Sequence, residues 1–210
     1  MITALSLVVP FALGWAAWTL AEYLLHRFAM HHLRGRGIMS REHLEHHVHS
    51  SWSFSVTHLM SWAGMLFVGT VLWFPLGWWL SSVAGGVALA VGWAVGYFFY
   101  EYQHMAAHLH APRHRYGAWL RRHHFHHHFG HPMANHGVTV PVWDHVFRTH
   151  EAPGKVRVPR RLALPWLVDE QGELLPEYAD DYVLVGRADD AERLAALDRA
   201  RAFASIAPAD

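Results

Sequence analysis

Histidine is the residue type in this chain that is best suited to metal binding or catalysis, and it fills 21 of the 210 positions. Ten of these residues form four regularly spaced motifs: His26-x4-His31, His43-x-x-His46-His47, His104-x3-His108 and His124-x-x-His127-His128. Positions i, i+3 and i+4 of a helix share one face, so the three rings of an HxxHH motif are expected to converge on one point. Ten histidines are too many for one metal ion, since a structural site closes at four ligands. They are a sensible number for two ions.

The type of ligand does not by itself name the metal, because imidazole binds zinc, copper, iron and nickel. About five ligands per ion would leave a position for water or dioxygen. The chain has no cysteine, which excludes disulfides, thiolate sites, iron–sulfur clusters and a cysteine nucleophile. Metal-bound histidines usually donate their second N–H to a carboxylate or a carbonyl. The nearby carboxylates expected in that role are Glu22, Glu42, Glu45, Glu101 and Asp144.

The first pair has an awkward spacing, because His26 and His31 are five residues apart. On a regular helix this separation turns the two side chains about 140° away from each other. Two interpretations remain open. Either the helix ends between the two residues, or their rings bind different ions.

Long apolar stretches predict a membrane protein of three helical spans. Residues 2–25 carry one charge, Glu22, and are long enough to cross a bilayer. They are expected to be a retained span rather than a signal peptide, because no basic region precedes them and no small-residue cleavage site follows. The apolar stretch from Leu59 to about Tyr100 is too long for one span. Its composition predicts spans at 58–74 and 81–102, joined by a turn at Pro75-Leu76-Gly77.

The distribution of charge predicts the orientation. The formal net charge is zero, which argues against nucleic-acid binding. Residues 26–57 and 103–125 each hold four Lys or Arg, whereas the turn near Pro75 and the N-terminus hold none. The positive-inside rule therefore places all four histidine motifs and the C-terminus in the cytoplasm, with a bacterial inner membrane as the expected location.

The predicted fold class is an all-α membrane bundle with a cytosolic, histidine-rich helical cap and a short soluble tail. Residues 1–150 are expected to form the membrane-embedded di-metal domain, and 151–210 a cytosolic extension. Ser40 is predicted to cap a helix that contains His43. In the extension we expect a short strand at 181–185 and a helix at 189–204, with Asp189 or Asp190 near its cap.

The four motifs, read as HRFAMHH, HLEHH, HMAAH and HFHHH and followed by HGVTVPVWDHVFRT, resemble the fatty acid hydroxylase / sterol desaturase superfamily of membrane di-iron enzymes. The HX4H, HX2HH, HX3H and HX2HH series matches in order and spacing, and the likeness covers about residues 15–150. It implies the following ligands: His26, His31, His43, His46, His47, His104, His108, His124, His127 and His128.

The resemblance implies O2-dependent hydroxylation or desaturation of a lipid, such as a fatty acyl chain or a sterol, at two iron ions. Zinc is the substitute that such a site would take up in a purified sample. No protein acid or base is assigned apart from the metal centre. No fused cytochrome b5 domain is recognisable in the sequence, so a separate electron donor of the ferredoxin, cytochrome b5 or reductase type is expected.

Several alternatives stay open at this point. The short chain and the HRFAMHH motif are also similar to bacterial carotenoid hydroxylases. A histidine-rich metal transporter or storage protein is the non-enzymatic alternative, although the predicted spans lack the polar residues of a transport site. Within the last motif, His123-x-x-His126-His127 repeats the HxxHH spacing one position earlier, so His123 or His126 could replace an assigned ligand. The other histidines are expected at the surface or behind the ligands.

Overall fold

The structure is a computed structural model that describes residues 4–210. Three helices are long and apolar enough to cross a membrane: Leu5–His32, Val56–Leu80 and Val83–Leu109. The prediction of a helical integral membrane protein with three spans is therefore confirmed. In chain order the α-helices are α1 (Leu5–Leu24), α2 (Ile38–His49), α3 (Val56–Val68), α4 (Phe74–Leu80), α5 (Val83–Leu109), α6 (Arg115–Phe129), α7 (Val142–Val146) and α8 (Ala191–Phe203).

Shorter elements complete the fold. Two π-helical segments extend or join the α-helices of the first two spans, at Leu25–His32 and Gly69–Trp73. Strands β1 (Val156–Pro159) and β2 (Tyr182–Val185) pair in parallel, with Val156 opposite Tyr182. Single 3₁₀ turns lie at Arg160–Leu162, Pro176–Tyr178 and Ala188–Asp190.

The predicted turn at Pro75-Leu76-Gly77 is wrong, because the second span continues through it to Leu80. Pro75 lies in the first turn of α4, directly after the π-helical segment Gly69–Trp73. The wider π turn explains why the helix continues, since it already lacks the i to i−4 hydrogen bond that a proline removes. The chain reverses instead at Ser81 and Ser82.

Contacts divide the chain into two compact units. The membrane unit contains the described residues up to Glu22 together with Ser53–Tyr102. In it, α1 and α5 approach so closely that a Cβ at Gly92 would lie 2.0 Å from the carbonyl oxygen of Phe11. Trp18 packs edge-on against Trp93 at a ring distance of 5.1 Å. Small residues at the contact and apolar side chains outside it are typical of helices packed in lipid.

The histidine unit contains Tyr23–Trp52 and Gln103–Asp210. Its helix α2 begins at Ile38, with Gly37 at the cap position, so the prediction of Ser40 as the cap is wrong. Ser40 is buried within the helix, where its hydroxyl donates to the Met30 carbonyl at 2.6 Å and accepts from the Gly35 N–H at 2.8 Å. These bonds tie α2 to the end of the first span.

The C-terminal residues largely follow the prediction. The expected strand at 181–185 is β2, and the expected helix at 189–204 is α8, which Asp190 precedes. Residues 151–210 belong to the histidine unit, where the buried side chains of Arg161 and Asp198 form an ion pair at 2.8 Å. The functional division of the chain at residue 150 stays a prediction.

Candidate metal centre

The structure gathers the ten histidines of the four motifs into two groups of five. In each group the imidazole nitrogens that face one another lie within 4.8 Å. Two ligands on opposite sides of one ion would be about 4.2 Å apart at ordinary metal–nitrogen distances. Group A consists of His26, His31, His43, His47 and His127, and group B of His46, His104, His108, His124 and His128.

Each HxxHH motif divides between the two groups, so the expectation that its three rings converge on one point is wrong. The i and i+4 residues of α2, His43 and His47, lie in group A, whereas His46 lies in group B. On α6 the i and i+4 residues, His124 and His128, lie in group B, and His127 lies in group A. At 3.6 residues per turn the i+3 ring points about 60° to one side of the i ring and the i+4 ring about 40° to the other. The i+3 and i+4 rings therefore point about 100° apart, and the i+3 ring reaches the neighbouring group.

The awkward spacing of His26 and His31 is resolved by a helical form that neither interpretation considered. Both residues belong to the π-helix Leu25–His32, so the helix does not end between them. Hydrogen bonds in a π-helix join residues five apart, which brings i and i+5 to about the same face. The two rings lie 5.2 Å apart and both belong to group A, so they do not serve different groups.

The Nε2 atoms point into each group. In group A, the Nε2 of His43 lies 3.0 Å from that of His26 and 2.9 Å from that of His31. The Nε2 of His127 lies 3.0 Å from that of His31 and 3.1 Å from that of His47. Five ring nitrogens therefore surround one small volume.

Group B has the same arrangement. The Nε2 of His108 lies 2.9 Å from that of His124, and the Nε2 of His104 lies 3.0 Å from that of His46. The buried Nε2 of His128 has no hydrogen-bond partner. A buried ring nitrogen without a partner is costly unless something binds it.

The opposite ring nitrogens determine which tautomer is present. In group A, His26 Nδ1 and His127 Nδ1 lie 2.5 and 2.7 Å from the carbonyl oxygens of His136 and Ala134. A carbonyl only accepts, so each Nδ1 carries the proton and each Nε2 presents a lone pair.

The same holds in group B, where His108 Nδ1 and His46 Nδ1 lie 2.9 and 2.8 Å from the carbonyls of Ser50 and Ser51. Lone pairs that converge at about 3 Å repel one another unless a cation lies between them. The donor set of both groups therefore fits a metal ion.

Burial keeps these rings neutral. Loss of hydration, reinforced by the neighbouring imidazoles, holds the pKa of His43, His47, His124, His127 and His128 well below its usual value. A neutral imidazole is the form that binds metal ions.

The five carboxylates expected behind the ligands have varied surroundings. Glu45 pairs with Arg199, Glu42 is exposed, and Glu101 accepts from the Trp62 indole at 2.6 Å. Glu22 is buried in the membrane unit. The Nδ1 partners described above are backbone carbonyls and not carboxylates. The fifth carboxylate, Asp144, binds backbone N–H groups beside the His136 carbonyl, which is the partner of His26.

Asp144 is fully buried in the short helix α7, which follows α6 and the loop after it. Its carboxylate accepts the backbone N–H groups of His136 and Gly137 and the hydroxyl of Thr149, each at 2.8 Å. Burial alone would raise the pKa of Asp144, but the hydrogen bonds prevail and lower it. The ionised carboxylate thus fixes the peptide whose carbonyl binds His26.

The structure places the two alternative histidines of the last motif away from both groups. His123 lies outside both groups, with its Nε2 3.6 Å from Asp144, and His126 contacts Glu151 at 3.1 Å. The rings that belong to the two groups are those of His124, His127 and His128, and their role as ligands stays a prediction.

Sequence reasoning missed three serines. Besides the Ser50 and Ser51 carbonyls, the Ser50 hydroxyl lies 3.2 Å from His128 Nδ1, and the Ser205 hydroxyl lies 3.1 Å from His31 Nδ1. Serines carry no spacing signal, and Ser205 is 174 positions from the ring that it contacts.

Comparison with known proteins agrees with this geometry. The family model described as fatty acid hydroxylase matches residues 11–149, a range that includes all ten histidines. A fatty acid 2-hydroxylase of Macaca fascicularis is 31% identical over 160 residues, which are 70% of this chain and 42% of that protein. The human fatty acid 2-hydroxylase is 30% identical, over 66% of this chain and 38% of that protein.

A dihydroceramide fatty acyl 2-hydroxylase of Arabidopsis thaliana is 30% identical, over 69% of this chain and 61% of that protein. The chain thus spans about two fifths of the length of the two primate relatives. No solved structure matches it significantly. The family model covers well over half of the 210 residues, and the chain therefore belongs to the fatty acid hydroxylase family.

Proposed function

We propose that this protein is a membrane-bound di-iron oxygenase that hydroxylates the acyl chain of a lipid. The observation that carries the proposal is the convergence of five imidazole nitrogens in each of two groups. The ten histidines would be the ligands, five to each ion. Iron is proposed over zinc because hydroxylation of a C–H bond needs a redox-active metal.

Two bound iron ions would supply the reductive activation of O2, in which a C–H bond, O2, two electrons and two protons give C–OH and water. The protein's own contribution is to hold neutral imidazoles in fixed orientations. Carbonyls at Ala134, His136, Ser50 and Ser51 orient the rings through Nδ1. Complete burial of rings such as His124 and His127 excludes bulk water from the ligands.

The names of the relatives guide the proposal for the substrate. They are fatty acid 2-hydroxylases and a dihydroceramide fatty acyl 2-hydroxylase. We propose a fatty acyl chain as the substrate and carbon 2 as the position attacked. Desaturation, or hydroxylation of a sterol or a carotenoid, would appear as a different product in the same assay.

The three spans suggest the membrane arrangement. With three crossings, the loop between the first two spans and the chain after Leu109 lie on the same side. The Lys and Arg content of these segments favours the cytoplasmic face of a bacterial inner membrane. Electrons would come from a separate protein of the ferredoxin, cytochrome b5 or reductase type.

The test is expression in a bacterial host under ¹⁸O2, followed by mass spectrometry of the lipids. We expect a hydroxylated acyl chain that carries one labelled oxygen atom. His124→Ala should abolish this product, whereas His49→Ala, an exposed histidine beside the second motif, should leave it unchanged. A product without label, or equal activity in both variants, would contradict the proposal.

A further inference from the structure

Two serines share an unusual backbone conformation beside the metal groups. Ser50 and Ser205 both have positive φ, 49° and 55°. This left-handed region disfavours residues with a Cβ, and glycine usually occupies it at the ends of helices. Both serines stand just beyond a helix, Ser50 after α2 and Ser205 after α8.

The two side chains make equivalent contacts on different groups. The Ser50 hydroxyl lies 3.2 Å from Nδ1 of His128 in group B, and the Ser205 hydroxyl lies 3.1 Å from Nδ1 of His31 in group A. All four residues are buried. Glycine would suit both backbones better, but it has no hydroxyl. Backbone strain retained beside a site is an observation from which a functional role is inferred.

We propose that Ser50 and Ser205 are positioning residues, each of which orients one metal-binding imidazole through Nδ1 at the expense of backbone strain. Each hydroxyl accepts the Nδ1 proton and so directs the Nε2 lone pair of His128 or His31 into its group. This inference rests on the proposed metal centre. It adds that residues after 149, beyond the range of the family match, contribute to group A through Ser205.

Glycine and alanine variants separate strain from the hydroxyl. Ser50→Gly and Ser205→Gly remove the hydroxyl and relieve the backbone, while keeping the Ser50 carbonyl that His108 needs. Ser50→Ala and Ser205→Ala remove the hydroxyl and keep the strain. Arg148→Gly is the matched control, because Arg148 also follows a short helix at φ 57° and is exposed.

The measurement is iron retained per full-length chain, loaded anaerobically with Fe(II) and challenged with graded EDTA, together with thermal unfolding of the metal-free protein. Loss of a partner behind a ligand weakens metal binding by about 10- to 100-fold. We expect weaker binding of one of the two ions in each variant that carries one serine substitution. In the double variant Ser50→Gly/Ser205→Gly we expect weaker binding of both ions. The glycine variants and Arg148→Gly should unfold at an equal or higher temperature than the original protein.

Serine variants that hold two ions as tightly as the original protein would overturn the positioning role and leave the proposed metal centre intact. An original protein that binds fewer than two ions would overturn the proposed centre, and this inference with it. Metal loss in Arg148→Gly equal to that in the serine variants would also overturn the role, because backbone relief alone would then explain it.

Discussion

Groups A and B have the same composition of histidine motifs, drawn from different parts of the chain. Each contains a pair of histidines from the end of a long apolar helix, the i and i+4 pair of one HxxHH motif and the i+3 ring of the other motif. Helices α2 and α6 therefore exchange their i+3 rings, His46 and His127. This exchange links the two groups, because neither helix can turn about its axis without disturbing both.

The groups differ in how they are held. All five rings of group A are buried, whereas His46 and His104 of group B are partly exposed. In group A, the partners of His26, His127 and His31 come from the 134–136 loop and from Ser205 near the C-terminus. In group B, the partners of His46, His108 and His128 all come from the adjacent residues Ser50 and Ser51. Group A thus depends on segments far apart in sequence, and group B on one local turn.

The largest expected effect comes from neighbouring residues of α2. His46→Ala should remove the ion of group B and His47→Ala the ion of group A, so each variant should retain about one ion per chain. Because both ions are proposed to be needed, each should lower hydroxylation by at least about 100-fold, more than the loss of an outer partner. The double variant should retain no ion, whereas His47→Ala/His127→Ala, confined to group A, should retain one. Equal iron content in the two double variants would contradict the exchange of rings.

The next effect tests the dependence of group A on the C-terminal residues. Asp198→Ala leaves the buried guanidinium of Arg161 without its carboxylate, which typically costs about 3–5 kcal/mol of folding free energy. Denaturation should show that loss. Because α8 leads to Ser205, iron should dissociate from group A before group B as chelator is added. Simultaneous loss of both ions at the lowest chelator concentration would argue against separate support of the two groups.

A smaller effect is expected at the 134–136 loop. Asp144→Asn replaces a carboxylate oxygen by an N–H donor that faces a backbone donor at His136 or Gly137. A buried donor left unsatisfied costs about 1–3 kcal/mol. Displacement of the His136 carbonyl should weaken iron binding by group A about 10- to 100-fold and leave iron binding by group B unchanged. Chelator titration of the purified variant measures both changes, and a selective loss at group B would contradict the assignment.

The smallest effect is expected at Glu45, which sequence reasoning had placed behind the ligands. Its partner is the exposed side chain of Arg199, and Glu45 itself is partly buried. Glu45→Gln should cost no more than about 1 kcal/mol and leave the iron content at its original value. Weaker iron binding in this variant would show that the carboxylate serves a ligand after all.

The spacing of the histidines predicted the family and the ten residues that converge, because metal geometry constrains side chains to regular positions on helices. It did not predict the exchange of His46 and His127, which depends on how α2 and α6 cross. The π-helix at Leu25–His32 was missed because an i, i+5 pair falls on one face only when the helix widens. The hydroxyls of Ser50 and Ser205 were missed because they act through tertiary contacts that have no sequence period.

X-ray absorption spectroscopy and metal analysis of the protein, purified without oxygen and loaded with Fe(II), would show directly whether the ten imidazoles bind two iron ions. We predict two ions per chain, each with about five nitrogen ligands at ordinary metal–imidazole distances. One ion per chain, or a first shell dominated by oxygen, would contradict this prediction.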